Sequence, residues 1–341
     1  MAPGFALIGA GGFAKKQYLP LLSTKLMDRV SFKAIWSRSQ ESAESAVSLI
    51  KDRVPEVQPK WGEEGFNDIL MDNSIIGVAI VLEPEIQGTY AIQALTAGKH
   101  VLQEKPLAPS TQKAQSLVNL YKGLDNDKLV WAIGENYRFE QALAEASKLV
   151  KDIGHMVAVE VILESPMNIS RPSFSSVWRR QLQGGYIMDS AVHQIAGLRL
   201  ITGFEIRSVS AISRHVDNAL PSPDNVSALI ELENGCVGTL MISFSCITKK
   251  MSWKVVGTEG TIYVDQDVKD DQPGFLVTCS TSTGKNSVFY PCCGVEEELG
   301  AFINDITMGG VPDKRSSPSE AYADVAVIEA ILKSNGNVIH V

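Results

Sequence analysis

Three side chains have the types and spacing to handle a proton beside a reacting carbon–oxygen bond. Lys105 closes the stretch Val101-Leu-Gln-Glu-Lys-Pro-Leu107, an apolar run ending in a charged pair and a proline. Pro106 prevents the strand from continuing, so Lys105 arrives where a ligand can sit. Asp189 and His193 are four residues apart on a helix expected over 185–202, which puts them on one face. A carbonyl oxygen turning into an alkoxide needs a proton donor and nearby positive charge. The expectation is therefore His193 as principal acid/base, Lys105 polarising the oxygen opposite a nicotinamide, and Asp189 orienting substrate or its neighbours. Whether Lys105 or His193 delivers the proton is open at this level.

Several elements must position these groups. A short apolar strand over 5–8 runs directly into Gly9-Ala-Gly-Gly-Phe-Ala14, the Gly-x-Gly-x-x-Ala form of a dinucleotide fingerprint. Gly9 permits the tight turn, Gly11 lets backbone approach a pyrophosphate, and small Ala14 lets the next helix pack on the strand. Gly12 and Phe13 complete the cofactor-binding loop. The helix start adds free N–H groups and a positive dipole end. Lys15 and Lys16 read as a solvated helix face. A second strand over 30–36 ends in Ser37-Arg38-Ser39, with no acidic residue to bond a ribose 2′-hydroxyl. Arg38 pairing with a 2′-phosphate, and Ser37 bonding it, makes NADP(H) the expected cofactor ahead of NAD(H). Residues 55–59 read as a loop. Strands over 75–82, 100–103 and 129–133 alternate with helices, and Leu82 ends the first of these at the cofactor. That alternation means an open parallel sheet with helices on both faces.

The pattern changes near residue 134. A helix over 139–151, an alternating strand over 155–164, a loop over 167–183 and the helix over 185–202 come first. Strand candidates follow near 205–216, 225–234, 236–246, 252–257, 261–265, 274–279 and 286–290, with hairpin turns at 233–235 and 259–260. Helices over 296–308 and 318–334 close the chain. The expected fold is thus α/β plus α+β. A doubly wound Rossmann sheet over 1–133 binds NAD(P). A second domain over 134–341 has a large, mostly antiparallel, open-faced sheet for substrate binding and dimerisation. The last helix packs back on the first domain. Alternating apolar residues over 228–232 and 240–244 suggest that two subunits bury this sheet between them, as a homodimer or higher homo-oligomer. Substrate specificity is expected in the 167–183 loop.

Composition sets bounds. The length favours two domains, because single cores rarely grow past roughly 250 to 300 residues. A net charge of −8 argues against a nucleic-acid or anionic-membrane binder. No apolar run approaches the roughly 20 residues of a membrane span, and the N-terminus lacks the pattern of a secretory signal. Five cysteines in a chain this long read as reduced thiols of a cytoplasmic protein, and adjacent Cys292 and Cys293 lack the spacing of a metal site.

Together, Gly9-x-Gly11-x-x-Ala14, Glu104-Lys105-Pro106, Asn136-Tyr137-Arg138 and Gly184-Gly-Tyr-Ile-Met-Asp-Ser-Ala-Val-His193 resemble the glucose–fructose oxidoreductase / inositol dehydrogenase / rhizopine-catabolism (Gfo/Idh/MocA) family of NAD(P)-dependent oxidoreductases. The resemblance spans essentially the whole chain in the family's motif order. Trp178-Arg179 is similar to a fungal-type NADPH-dependent branch. By resemblance, Lys105 lies beside the nicotinamide, and Asp189 and His193 are the Asp and His of an Asp-x-Gly-x-His motif. Glu104 joins the cofactor contacts, and the Lys105–Pro106 bond is cis. Asn136 contacts cofactor, Tyr137, Arg138 and Tyr186 contact substrate, and Trp178 with Arg179 covers the nicotinamide. The chain departs from the pattern at Ala191, usually glycine, and at Gly88, often histidine. The implied activity is hydride transfer to or from a small carbonyl or alcohol, such as a sugar or polyol. The fold also serves non-catalytic cofactor-sensing regulators and NAD-assisted glycoside hydrolases. Retention of Lys105, Asp189 and His193 together favours the oxidoreductase.

Overall fold

A computed structural model describes residues 2–124, 128–171, 174, 176–309 and 312–341. The chain forms two compact units. The first comprises Met1–Ala108, Gln112–Glu135 and Val295–Tyr322, and the second Pro109–Thr111, Asn136–Gly294 and Ala323–Val341. Residues 295–322 thus belong with the nucleotide-binding half, and the last helix, Pro318–Ser334, is divided between the units.

The first unit is built on β1 (Gly4–Ile8), β2 (Ser31–Ser37), β3 (Gln58–Trp61), β4 (Ile75–Ile80), β5 (His100–Glu104) and β6 (Trp131–Gly134). All pairs are parallel, in the order β3-β2-β1-β4-β5-β6. This is the Rossmann arrangement, with the strand order reversing between β1 and β4. Such sheets bind ligands beyond the carboxyl ends of their strands at that reversal. Every residue of β1 is buried because both faces are covered. Phe5 and Leu7 pack with Phe302 and Ile303 of the late helix Gly294–Met308. Ala6 and Ile8 pack on the other side with Trp36, Val78 and Ile80. β3 occupies part of the expected 55–59 loop and runs on to Trp61. Its sequence has no apolar alternation, and Pro59 is tolerated because β3 is an edge strand.

The second unit holds β7 (Met156–Glu164), β8 (Ile206–Arg214), β9 (Asn225–Leu232), β10 (Val237–Ser243), β11 (Lys250–Gly257), β12 (Gly260–Lys269), β13 (Gln272–Thr281), β14 (Gly284–Pro291) and β15 (Val338–His340). Their order is β14-β13-β12-β11-β7-β10-β9-β8-β15, antiparallel except for β7 with β10. Three-residue β15 is too short for its sequence pattern to announce it, and it pairs with β8. The helix Gly185–Thr202 is apolar nearly all round and accordingly buried. Trp253 donates its Nε1–H to the Gln194 carbonyl at 3.0 Å and packs where Gly197 has no side chain.

The sheet's two faces are the reverse of what the apolar alternation suggested. Ala228, Ile230, Leu232, Leu240, Ile242 and Phe244 all lie in the unit's own core. With a side-chain period of two, the intervening residues form the outer face. That face still carries apolar groups: Leu229 is 64% exposed and Val237 58%.

Candidate active site

Four expected cofactor positions follow the carboxyl ends of four neighbouring parallel strands. Gly9 follows β1, Ser37 ends β2, Leu82 follows β4 and Lys105 follows β5. Gly9 adopts φ +126°, and a Cβ there would stand 2.2 Å from the Val81 carbonyl oxygen. Glycine is therefore required by the turn itself. Gly11 and Gly12 differ: a Cβ on either would meet nothing within 4 Å, so their bareness keeps outside space open. Lys15 N–H donates to Gly11 O at 3.0 Å and starts the helical segment, whose π-helical turn Ala14–Tyr18 leads into Leu19–Leu22. N–H groups at a helix start lack intrahelical acceptors. Gly11, Gly12, Phe13 and Ala14 thus fit a pyrophosphate, with Phe13 exposed and Ala14 buried against the sheet. Leu82 Cδ2 comes within 3.4 Å of the Gly9 Cβ position. Arg38 is largely exposed, and its Nη1 pairs with Glu83 Oε1 at 3.1 Å. Sequence reading had not weighed that acidic neighbour.

Lys105 is half-buried, and its peptide bond to Pro106 is cis. Two fully buried glutamines clamp the turn after it. Gln87 donates to Pro106 O at 2.6 Å, and Gln103 donates to Leu107 O at 2.8 Å. Neither glutamine carries a motif, so sequence reading missed them. Glu104, expected among the cofactor contacts, turns its carboxyl inward and accepts from the Tyr18 hydroxyl at 2.7 Å. Burial pushes Glu104 up to about 7, and Lys105 and the Tyr18 hydrogen bond oppose that rise. Burial pushes the Tyr18 hydroxyl up too, helped by Glu104 and Glu298.

The second unit gathers another group of expected residues. Its helix starts at Gly184 and Gly185, which have φ +81° and +52° and lie against Leu332 and Pro221. One turn in, Asp189 accepts from Arg179 Nε at 2.7 Å. The Arg179 guanidinium lies over the Trp178 ring at 4.1 Å, on the short helix Val177–Gln181 within the expected loop. Residues 172, 173 and 175 of that loop lie outside the described residues. One turn further, the half-buried His193 ring stacks on Tyr137 at 4.4 Å and 19°. Tyr137 is held edge-on by Trp253 and Phe275, and its hydroxyl reaches Met251 Sδ at 3.2 Å. Glu140 is an addition that the sequence gave no signal for. Its carboxylate accepts from Cys293 N at 3.0 Å and Gly294 N at 3.1 Å. Burial raises its pKa, and those hydrogen bonds and the His193 charge lower it.

Other expected residues have different work. Asn136-Tyr137-Arg138 lies on the 3-10 turn Asn136–Phe139, with Asn136 half-buried. Arg138, expected at the substrate, has a buried guanidinium that meets Asp324 with two bonds, of 2.7 and 2.9 Å. Arg199 meets the same carboxylate at 2.8 Å and also chelates Glu205. Tyr186, also expected at the substrate, lies equally deep. It is 1% exposed, packs on Phe244 with ring centroids 5.7 Å apart, and donates its hydroxyl to Phe174 O at 3.3 Å. Both lie among buried residues because tertiary partners, not their motif neighbours, surround them. Asp189 is nine-tenths buried against Arg179, so it anchors that guanidinium.

Residues 4–130 match an oxidoreductase family with an NAD-binding Rossmann fold, and residues 144–263 match the GFO/IDH/MocA C-terminal domain. The dehydrogenase FPY6 of Fusarium mangiferae is 31% identical, over 97% of this chain and 96% of its own. The scyllo-inositol 2-dehydrogenase (NAD(+)) of Bacillus subtilis is 26% identical, over 60% of this chain and 59% of its own. A solved oxidoreductase of Thermotoga maritima superposes with a TM-score of 0.86 at 26% identity, covering 100% of this chain and 98% of its own. A levoglucosan dehydrogenase solved with NADH and levoglucosan shares the fold, with a TM-score of 0.83 at 21% identity over the full length of both chains. With its motifs, sheet order and full-length relative in agreement, the chain belongs to the GFO/IDH/MocA family of NAD(P)-binding oxidoreductases, which act on CH–OH and C=O groups.

Proposed function

We propose that the protein is an NADP(H)-dependent oxidoreductase interconverting an alcohol and a carbonyl on a sugar, polyol or related metabolite. The observation that carries this reading is one of position. The bare Gly11–Gly12 loop and Lys105 both follow carboxyl ends of strands around the β1/β4 reversal of one sheet. The nicotinamide supplies or accepts the hydride, and the protein positions the carbon and manages one proton. Lys105 polarises the oxygen, and His193, stacked on Tyr137, acts as acid/base. Asp189 holds Arg179, whose guanidinium with Trp178 forms a wall for cofactor or substrate. The substrate class follows from relatives named as inositol, xylose and levoglucosan dehydrogenases. Arg38 and Ser37 support NADP(H), while a surface pair such as Arg38–Glu83 is weak enough for a phosphate to displace. NADPH oxidation measured across a panel of aldoses, ketoses and cyclic polyol ketones tests the reading. No turnover with any of them, with either cofactor, would remove it.

The outer sheet face supports a homodimer. It carries a shallow concavity of about 620 Å³ lined by Leu229, Val237, Val256 and Val338. Sedimentation should give twice the 37.0 kDa chain mass, and Leu229→Asp should shift it toward the single chain. A 37.0 kDa species alone at working concentrations would end the dimer reading.

A further inference from the structure

Behind Lys105, the first unit encloses a cluster of buried carboxyl groups. Glu104 is the last residue of β5 and stands in register with Gly134 of β6, so Glu135 follows at the neighbouring strand's end. The helix Gly294–Met308 brings in Glu298, and the π-helical turn brings in Tyr18. Glu104 is 6% exposed, Glu135 and Glu298 are each 2%, and Tyr18 is 0%. Gly134 has no side chain, and two of the carboxyl groups border the space this leaves. Glu298 Oε1 and Glu104 Oε1 lie 3.4 and 3.5 Å from where its Cβ would be. The charged and titratable neighbours of Glu104 are thus Tyr18, Lys105, Glu135 and Glu298. Among them Lys105 brings the positive charge that favours ionised Glu104.

Glu104 is buried beside Glu135, and desolvation and repulsion from that carboxylate both favour its protonated form. We propose that Glu104, walled by Glu135, Glu298 and the Tyr18 hydroxyl, holds a buried titrating proton behind Lys105, and that it is a positioning residue whose charge sets the Lys105 ammonium for the reaction. Ionised Glu104 draws the ammonium to a fixed place at the end of β5. Protonated Glu104 leaves it without that neighbouring charge. The change exchanges one proton with solvent and makes or breaks no other bond. Tyr18 favours the ionised form by donating to it, and burial opposes it, so the balance falls at about 7, where a small pH change alters it.

This inference deepens the proposed reaction and rests on it, so its test has two arms. The first, difference infrared spectroscopy of the whole protein, needs no substrate. A protonated-carboxyl C=O band should fade with a midpoint near 7, as Glu104 does. Glu104→Gln should abolish it. Tyr18→Phe should move the midpoint upward, because it removes a donor to the ionised form. Gly134→Ala should also move it upward, since its methyl group touches both carboxyl oxygens without overlap and excludes water. The second arm is the pH profile of kcat. The wild-type limb at that midpoint should vanish in Glu104→Gln with KM for NADPH unchanged, and move upward in Tyr18→Phe. A band that survives Glu104→Gln, or a limb that does, overturns the proposal. A protein that reduces no carbonyl defeats the functional reading instead, and the infrared arm then decides by itself whether Glu104 holds the proton.

Discussion

Replacing Arg38 by alanine tests the proposed preference for NADP(H), which rests on Arg38 and Ser37. Its side chain is 71% exposed and holds Glu83 through a single contact of 3.1 Å. An exposed pair of this kind contributes about 0–1 kcal/mol. A phosphate dianion in its place gains charge-assisted hydrogen bonds of about 1.5–3 kcal/mol. The difference, after Glu83 is displaced, is about 0.5–3 kcal/mol. At 1.4 kcal/mol per factor of ten, Arg38→Ala should weaken NADPH binding roughly 2- to 140-fold and leave NADH nearly unchanged. Glu83→Ala should act oppositely, tightening NADPH by at most about 5-fold, since it removes the competing carboxylate. Fluorescence titration of both cofactors at fixed, moderate salt reads the two constants, and higher salt should shrink the effect. Equal losses for NADPH and NADH in Arg38→Ala would refute the reasoning, because the guanidinium would then be shaping the loop and not reading a phosphate.

Other outcomes follow from the same geometry. Lys105→Ala and His193→Ala should each lower kcat/KM by about 10²–10⁴-fold in steady-state assays, and near-wild-type turnover in both would show the wrong groups were chosen. Asp324→Asn strips the shared carboxylate from buried Arg138 and Arg199, so urea unfolding should show a loss of about 3–5 kcal/mol. A loss under about 1 kcal/mol would mean that the network is not holding the second unit together. Glu104 adds a pH dependence of stability. Its folded pKa of about 7 is raised above the ordinary 4.5, so the folded state keeps a proton that the unfolded chain has released between those values. Stability from this group therefore falls as pH rises from 4.5 to about 7. Thermal melts across that range should slope less in Glu104→Gln, and an unchanged slope would count against the buried proton.

Much of the architecture was legible without coordinates, for reasons that are local. The run 75–82 is apolar without alternation because β4 is covered on both faces, and such a strand announces itself. Gly9 could be singled out because a backbone at φ +126° beside the Val81 carbonyl excludes any side chain. Asp189 and His193 shared a helix face because four residues make about one turn. Edge strands were poorly legible. β3 and β15 are short, and pairing with β2 and β8 gives them form that their own sequences do not dictate. The apolar alternation in β9 and β10 fixed that one face is buried, but not which face meets the core.

The sequence by itself determined the family, the order of the longer strands and helices, and the chemical types available at Lys105, Asp189 and His193, since these depend on residue identity and short spacing. Tertiary structure alone decided what each charge faces. Arg138 is spent on Asp324, 186 residues away, and Tyr18 on Glu104, 86 residues away. Glu83 reaches Arg38 across two strand ends, and Glu298 arrives beside Gly134 from a late helix. Electrostatics falls off with distance in space and burial removes the screening, so partners remote in sequence set whether a given side chain anchors the fold or remains available to a ligand.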